Sequence, residues 1–198
     1  MRVSFADSRF RLLGALAVVS IALLGSVVIN VLLAHKLHTF VHSGAVARER
    51  ALLVAGTFAP PLRLKGLDGR TVELTYADGG RPTLLYIFTP SCSWCARNLD
   101  NFKALVDKES GQYRFISLSL SEEGLAEYVA RNNLSVPVYC GLSPETLATY
   151  KLGNTPQTIV VSPKGKVLQD WVGAYVGEQK SQIEAFFHIT LPGIRSEP

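Results

Sequence analysis

The chain has 198 residues, of which 47% are hydrophobic and 18% are charged, and its formal net charge is +4 at pH 7. Residues 1–54 contain six Lys or Arg and two Asp or Glu, so residues 55–198 contain fourteen of each and are formally neutral. A phosphate-binding face needs a local excess of basic residues. This distribution therefore excludes nucleic acid as the expected partner.

Residues 12–34 form an uncharged, mostly apolar segment. Its 23 residues would span roughly 34 Å as a helix, which matches the hydrocarbon thickness of a bilayer. We predict a transmembrane helix here and a cytoplasmic N-terminus at residues 1–11, because basic residues close to a membrane helix favour the cytoplasmic side. A cleaved signal peptide is the alternative, with a cleavage pattern at Ala45-Val46-Ala47, although signal peptides have a shorter apolar region.

Residues 35–55 have only a loose apolar repeat and are predicted to form a juxtamembrane stalk. Within it, His35, His38 and His42 fall at helical spacing, which is compatible with metal binding but also with solvated imidazoles. We assign no catalytic role to these histidines. The remaining residues, 56–198, are enough for one globular domain of ordinary size.

The predicted elements of this domain alternate between strands and helices. A hairpin turns at Leu67-Asp68-Gly69-Arg70, and the continuously apolar residues 82–88 then predict a strand that is covered on both faces. After residue 95 the apolar residues recur at three- and four-residue spacing, which predicts a helix. From Tyr113 apolar and polar residues alternate, which predicts a strand.

The second half of the domain continues this alternation. A helix within residues 122–134, a short strand at residues 136–140 and a helix at residues 144–150 are followed by two strands around a Pro-Lys-Gly-Lys turn and by a helix from Glu178 to about Ile189. This order predicts an α/β sandwich with its sheet covered on both sides.

Two cysteines, Cys92 and Cys95, lie between the apolar strand and the start of a helix. Across a first helical turn their sulfurs would come within disulfide range, while the helix N–H groups, the helix dipole and Arg97 favour a thiolate at the first position. Cys92 is therefore the candidate nucleophile, and Cys95, one turn deeper, is the candidate resolving thiol.

Two other interpretations of this pair stay open. A zinc site would need about four ligands, and beyond residue 55 the further soft candidates are Cys140 and His188. A purely structural disulfide is the second interpretation, although so short a loop constrains the unfolded chain very little.

Three features follow one another along the domain: the strand TLLYIF, the cysteine pair at a helix start, and Thr155-Pro156 just before the strand QTIVV. They resemble the strand, the redox pair and the cis-proline of the thioredoxin superfamily. The opening at residues 59–74, the long insertion before the proline and the PKGKV hairpin are similar to membrane-anchored thiol-disulfide oxidoreductases of the TlpA/ResA/CcmG type. FTPSCSWC is also similar to the MauD branch.

The resemblance implies a thioredoxin-like α/β fold, with a central mixed sheet flanked by helices. One N-terminal transmembrane helix would precede this domain in the chain. The resemblance further implies Cys92 as nucleophile, Cys95 as resolving thiol and a cis bond before Pro156, so that the backbone of Thr155 could pair with an extended substrate. Trp94 would either form an apolar lip over the sulfurs or pack on the domain. No metal and no cofactor is expected beyond a redox-active disulfide between the two cysteines.

The resemblance also implies partners and a location. The substrates would be protein dithiols or disulfides, during cytochrome c maturation or the maturation of a disulfide-containing enzyme. Electrons would come from a membrane thiol reductase of the DsbD/CcdA kind. The chain would be a single-pass protein of a bacterial inner membrane, with its C-terminal domain in the periplasm.

The chain departs from these relatives at several positions. Ser91 stands where many have Trp, and Ser93 and Trp94 separate the cysteines where many have a Pro. Asn98 stands where reducing members often carry a glutamate, and an amide cannot accept a proton as a carboxylate does; Asp100 is near in sequence. Cys140 is predicted to be buried, with a third redox thiol or an intermolecular bridge as alternatives.

Two further functional classes remain as alternatives. Thr89 and Cys92 match the Thr-x-x-Cys of peroxiredoxins, which predicts a thiol peroxidase, but Leu85 stands where those enzymes have a proline. The other class is a non-catalytic docking domain whose thiols stay oxidised.

Overall fold

The structure of the protein is a computed structural model that describes residues 20, 23–34, 36, 52–77 and 80–194. The chain divides into two compact units, Met1–Glu49 and Arg50–Pro198. In the first unit, residues 23–34 are helical with exposed side chains. Among the described residues, no helix is both long and apolar enough to cross a membrane.

Several predictions for the N-terminal part fall outside the described residues. These are the cytoplasmic segment 1–11, residues 12–19, 21 and 22 of the membrane helix, most of the stalk, and His35, His38 and His42.

The second unit is built on a seven-stranded mixed sheet. Its strands are β1 (Leu62–Gly66), β2 (Thr71–Leu74), β3 (Thr83–Phe88), β4 (Arg114–Ser119), β5 (Val138–Cys140), β6 (Gln157–Val161) and β7 (Val167–Val172). Its helices are α1 (Ser93–Glu109), α2 (Leu125–Asn132), α3 (Pro144–Thr149) and α4 (Gly177–Phe187). The strand order is β2-β1-β5-β4-β3-β6-β7, in which β3 pairs in parallel with β4 and antiparallel with β6. The predicted α/β architecture and both predicted hairpins are confirmed.

Strand β3 contributes to a hydrophobic core on each face of the sheet. Leu84, Tyr86 and Phe88 belong to the core that also contains side chains of α1, α2 and α4, whereas Leu85 and Ile87 belong to the opposite core. All six residues of β3 are buried, because neither face meets solvent. The predicted two-sided coverage of this strand is confirmed.

Two predicted elements differ from the observed ones in detail. The alternating strand that begins near Tyr113 is β4, but Ser117 and Ser119 are buried, because this strand is also covered on both faces. The last helix ends at Phe187 because His188 adopts a left-handed conformation, with φ of 56°, and closes the helix with its own N–H.

A buried carboxylate holds the beginning of the second unit against strand β7. Asp170 accepts the backbone N–H of Leu53 at 2.6 Å and the side-chain amide of Gln157 at 3.0 and 3.1 Å. Burial raises the pKa of Asp170, and these two hydrogen bonds oppose the rise. Since Gln157 directly follows Pro156, Asp170 also supports the segment that carries two of the predicted site residues.

We expect Asp170→Ala to lower the free energy of unfolding by about 1 to 3 kcal/mol, because the buried amide of Gln157 loses its acceptor. Urea denaturation measures this change. Gln169→Ala, at the half-buried neighbouring position on the same strand, is the matched control. Equal losses in the two variants would show that the carboxylate does not hold this region together.

Candidate active site

The candidate site lies where the central strand ends and α1 begins. Strand β3 ends at Phe88, and Cys92 is the N-cap of α1 in an extended conformation, with φ of −77° and ψ of 111°. Gln157, the first residue of β6, pairs with Ile87 near the end of β3. The segment just before β6, which holds Thr155 and Pro156, therefore reaches the same end of the sheet as the cysteine pair.

The sulfur of Cys92 makes two contacts that position it. It accepts the backbone N–H of Cys95 at 3.1 Å, which is the N-cap interaction normally made by an oxygen. It also lies 3.5 Å from the carbonyl oxygen of Thr155, to which the thiol can donate. Cys92 is half-buried, so a partner disulfide can reach a sulfur that is already directed by the first turn of the helix.

Cys95 occupies the opposite environment. Its side chain is fully buried, and all three cysteines of the chain are free thiols. Burial raises the pKa of the Cys95 thiol to about 12, with a further rise from Cys92, while hydrogen bonds from the backbone of Thr89 and the side chain of Thr155 oppose it. Cys95 is therefore protonated at neutral pH and shielded from solvent, as a resolving thiol should be.

The peptide bond between Thr155 and Pro156 is cis, as the resemblance implied. The carbonyl oxygen of Pro156 accepts the N–H of Gly173 at 2.7 Å, which ties this segment to the end of β7. Thr155 contacts both cysteines, through its carbonyl oxygen at Cys92 and its side chain at Cys95. The structure thus brings together four of the five predicted site residues.

The fifth predicted residue, Trp94, lies between the two cysteines in sequence and is 47% exposed. The guanidinium carbon of Arg97 lies 4.4 Å from the centre of its ring, which is a cation–π arrangement. The ring is not part of either hydrophobic core. It forms an exposed apolar surface two residues after Cys92.

Asn98, three residues after Cys95, is fully buried, while Asp100 is half-buried. The Asn98 side-chain oxygen accepts the N–H of Tyr175 at 2.9 Å and the amide of Asn101 at 3.1 Å. The Tyr175 hydroxyl in turn pairs with the hydroxyl of Thr158 at 2.7 Å. This polar network beneath the cysteine pair was not predicted, although polar residues in otherwise apolar buried strands are a signal for one.

Cys140 lies apart from this network, at the end of β5. It is 4% exposed, and its sulfur lies 3.4 Å from the carbonyl oxygen of Lys65, so its predicted burial is confirmed. Within the described part of the chain, no three His, Cys, Asp or Glu side chains are grouped as metal ligands.

Comparisons with known proteins bear on this unit. The model of the AhpC/TSA family matches residues 55–169. Sporulation thiol-disulfide oxidoreductase A of Bacillus subtilis (strain 168) is 21% identical over 141 residues, which cover 68% of this chain and 82% of that protein. Thiol-disulfide oxidoreductase ResA of Halalkalibacterium halodurans is 26% identical over 148 residues, which cover 73% of this chain and 81% of that protein.

A solved structure extends the comparison to the fold. The thioredoxin domain of a thiol-disulfide oxidoreductase from Bacteroides vulgatus matches with a TM-score of 0.55 and 21% identity, over 68% of this chain and 99% of that one. The second unit therefore has the thioredoxin-like fold.

We expect iodoacetamide to modify Cys92 of the reduced, folded protein at least about tenfold faster than Cys95 or Cys140, because the other two thiols are buried and Cys95 is held protonated. Peptide mass spectrometry after timed quenching measures the three rates. Protein unfolded in urea is the control, since the three thiols should then react at similar rates. Native alkylation at Cys95 or Cys140 that is as fast as at Cys92 would contradict the geometry.

Proposed function

The chain belongs to the AhpC/TSA family, and we propose that its thioredoxin-like domain exchanges disulfides with protein partners on the outer side of a bacterial inner membrane. It is a thiol-disulfide oxidoreductase, like the relatives that share its fold and most of its domain. The observation that supports the proposed roles is the pairing of a half-buried, helix-capping sulfur with a buried thiol one turn away.

The exchange has two steps in which atoms and electrons balance. The thiolate of Cys92 attacks a sulfur of the partner's disulfide, which forms a mixed disulfide and releases the partner's second sulfur as a thiolate. Cys95 then loses its proton and attacks the sulfur of Cys92, so that the Cys92–Cys95 disulfide forms and the partner leaves fully reduced. The reverse sequence oxidises a partner dithiol.

The surface around Cys92 supports an extended protein substrate. Thr155 lies within contact distance of the Cys92 sulfur, and its backbone could add a substrate segment alongside the start of β6. The exposed ring of Trp94, between the two cysteines in sequence, supplies apolar contact area. We propose that Thr155, Pro156 and Trp94 hold the partner while its disulfide exchanges with Cys92.

The proposed membrane location rests on sequence. The uncharged residues 12–34 have the length of a membrane helix, and stable protein disulfides, the proposed substrates, occur mainly in oxidising compartments. In this arrangement the C-terminal domain lies in the periplasm, and a membrane thiol reductase of the DsbD/CcdA kind returns electrons to the disulfide. The electrons would be used in cytochrome c maturation or in the maturation of a disulfide-containing enzyme.

We expect the reduced protein to reduce insulin disulfides with dithiothreitol as electron source, and Cys92→Ser to abolish this activity, because no other thiol is both exposed and directed by a helix N-terminus. Cys95→Ala should instead accumulate a mixed disulfide with the partner, which non-reducing gels and mass spectrometry detect. Cys140→Ser is the control and should retain activity.

Other outcomes would favour the alternative functions. Activity that survives Cys92→Ser would remove this residue as nucleophile. Consumption of hydrogen peroxide without insulin reduction would favour a thiol peroxidase, and neither activity would favour a docking domain.

We expect the full chain, expressed in a Gram-negative host, to stay in the membrane fraction after alkaline carbonate washing, because residues 12–34 span the bilayer. A membrane-impermeant maleimide should label Cys92 in cells with a permeabilised outer membrane. Deletion of residues 12–34 is the control and should abolish both results. A shortened chain in the soluble periplasmic fraction would instead indicate a cleaved signal peptide.

A further inference from the structure

Gln157 is the first residue of β6 and directly follows Thr155 and Pro156, two of the residues proposed to hold the partner. Its backbone pairs in register with Ile87 of β3 on one side and with Val172 of β7 on the other. The pairing of β6 begins at this residue, and Pro156 has no N–H with which to extend it. The side chain of Gln157 is therefore placed to fix the point where the substrate-binding segment joins the sheet.

The side-chain amide of Gln157 is held at one end. Gln157 is fully buried, and its amide nitrogen donates to both carboxylate oxygens of Asp170, at 3.0 and 3.1 Å. Its amide oxygen has no hydrogen-bond partner among the described residues. A buried amide oxygen without a donor costs free energy, so the orientation of this side chain depends on Asp170.

The carboxylate of Asp170 is held in turn by the start of the domain. It accepts the backbone N–H of Leu53 at 2.6 Å, and the carbonyl oxygen of the neighbouring Leu52 accepts the ammonium group of Lys151 at 2.7 Å. Asp170 is buried in β7, opposite Ile159 of β6. It therefore joins the start of the domain, the edge strand β7 and the first residue of β6 at one buried point.

The charge of Asp170 decides whether it can accept both donors. In the neutral acid one oxygen carries a proton and becomes a donor, and it then faces an amide nitrogen that can also only donate. Burial raises the pKa of Asp170, while the hydrogen bonds from Leu53 and Gln157 and the charge of Lys151 oppose the rise. Asp170 therefore takes up its proton at a higher pH than an exposed aspartate does, and its hold on Gln157 weakens as the pH falls.

The groups that face Asp170 come from three elements of the domain. Lys151 acts on it from the turn after α3, Leu53 from the start of the domain, and Gln157 and Ile159 from β6. None of these residues is a second carboxylic acid or a histidine. A change of charge at this point between about pH 5 and about pH 8 is therefore that of Asp170.

We propose that ionised Asp170 is a positioning residue for protein substrates: it fixes Gln157 and thereby the backbone of Thr155 and Pro156, against which the partner binds. This inference rests on the proposed function and deepens it, because it makes the binding of an extended partner depend on a carboxylate that touches neither the partner nor the cysteines. Protonation of Asp170 would loosen the segment and weaken the binding of an extended partner.

The reactivity of the Cys92 sulfur towards a small disulfide should depend much less on Asp170. Cys92 is the N-cap of α1, and its sulfur is directed by the N–H of Cys95, which belongs to a different element from Gln157. A small aromatic disulfide needs to reach this sulfur but has no backbone to pair with the segment before β6. The two kinds of substrate therefore separate positioning of the partner from reactivity of the thiol.

Two disulfides of different size provide the test, in the Cys140→Ser background, where Cys92 and Cys95 are the only thiols. The first is a fluorescent extended peptide joined by a disulfide to a quencher-bearing peptide, both without Asp, Glu and His, so that their charge stays constant. The second is dithiobis(nitrobenzoate), whose first release is followed by absorbance. Both react with the same thiolate, so the ratio of their stopped-flow rate constants does not depend on the ionisation of Cys92.

We expect Asp170→Ala and Gln157→Met each to lower the rate constant for the peptide roughly fivefold at neutral pH, because a segment that is not fixed has to be ordered when the partner binds. The rate constant for dithiobis(nitrobenzoate) should be unchanged. The double variant should lose no more than either single variant, since the two residues act as a pair.

The pH profile tests the inference without any substitution. In the parent, the ratio of the peptide rate constant to the dithiobis(nitrobenzoate) rate constant should fall from about pH 8 towards about pH 5, as Asp170 is protonated. In Asp170→Ala the ratio should be low throughout. Gln169→Ala, at the half-buried neighbouring position on β7, is the matched control and should reproduce the rates and the pH profile of the parent.

The inference is overturned if Asp170→Ala or Gln157→Met leaves the peptide rate constant unchanged, if both substrates slow equally, or if the parent and Asp170→Ala have the same pH profile. A parent protein that reacts with dithiobis(nitrobenzoate) but does not reduce the peptide would instead contradict the proposed function, since the domain would then not exchange disulfides with an extended partner.

Discussion

The hydrogen bond from the backbone N–H of Cys95 to the sulfur of Cys92 connects the reactivity of this protein to its fold. It exists because Cys92 is the N-cap of α1, where the first N–H groups of a helix have no partner within the helix. Strand β3 fixes this position by its burial in two cores, since any shift of the strand would move side chains from one core to the other. The sulfur therefore lies at the start of a helix that follows a fully buried strand, and it is half-buried, so a partner can reach it.

The same helix turn gives the two thiols opposite environments. Cys92 lies at the surface and Cys95 lies one turn inside, where burial opposes ionisation. This difference orders the reaction, because a thiol that is neutral at rest does not compete for the incoming disulfide. Thr155 contacts both sulfurs, so the segment before β6 lies beside the whole cysteine pair. Asp170 and Gln157 support that segment from the edge of the sheet.

The parts of this arrangement that depend on local sequence could be predicted. The apolar run of β3, the spacing of the cysteines and the proline before β6 are each visible within about ten residues, and their order predicts the fold. The network that joins Asn98 to Tyr175 and Tyr175 to Thr158 could not be predicted, because it depends on the register of β6 in the sheet and on how α1 packs on it. The burial of Ser117 and Ser119 in β4 was missed for the same reason: alternation shows that a strand is present, but not what covers it.

An amide in place of a carboxylate next to the resolving thiol changes what the protein can do with a proton. A carboxylate can remove the proton of the buried thiol before the attack, whereas an amide cannot. The proton then has to reach the departing sulfur, so the partner takes part in the proton balance of the step. A partner thiol of low pKa leaves more readily but takes up the proton less readily, and these effects oppose each other. In the proposed exchange, the rate of resolution therefore depends on the chemistry of the bound partner more than it would in a protein with an internal base beside the buried thiol.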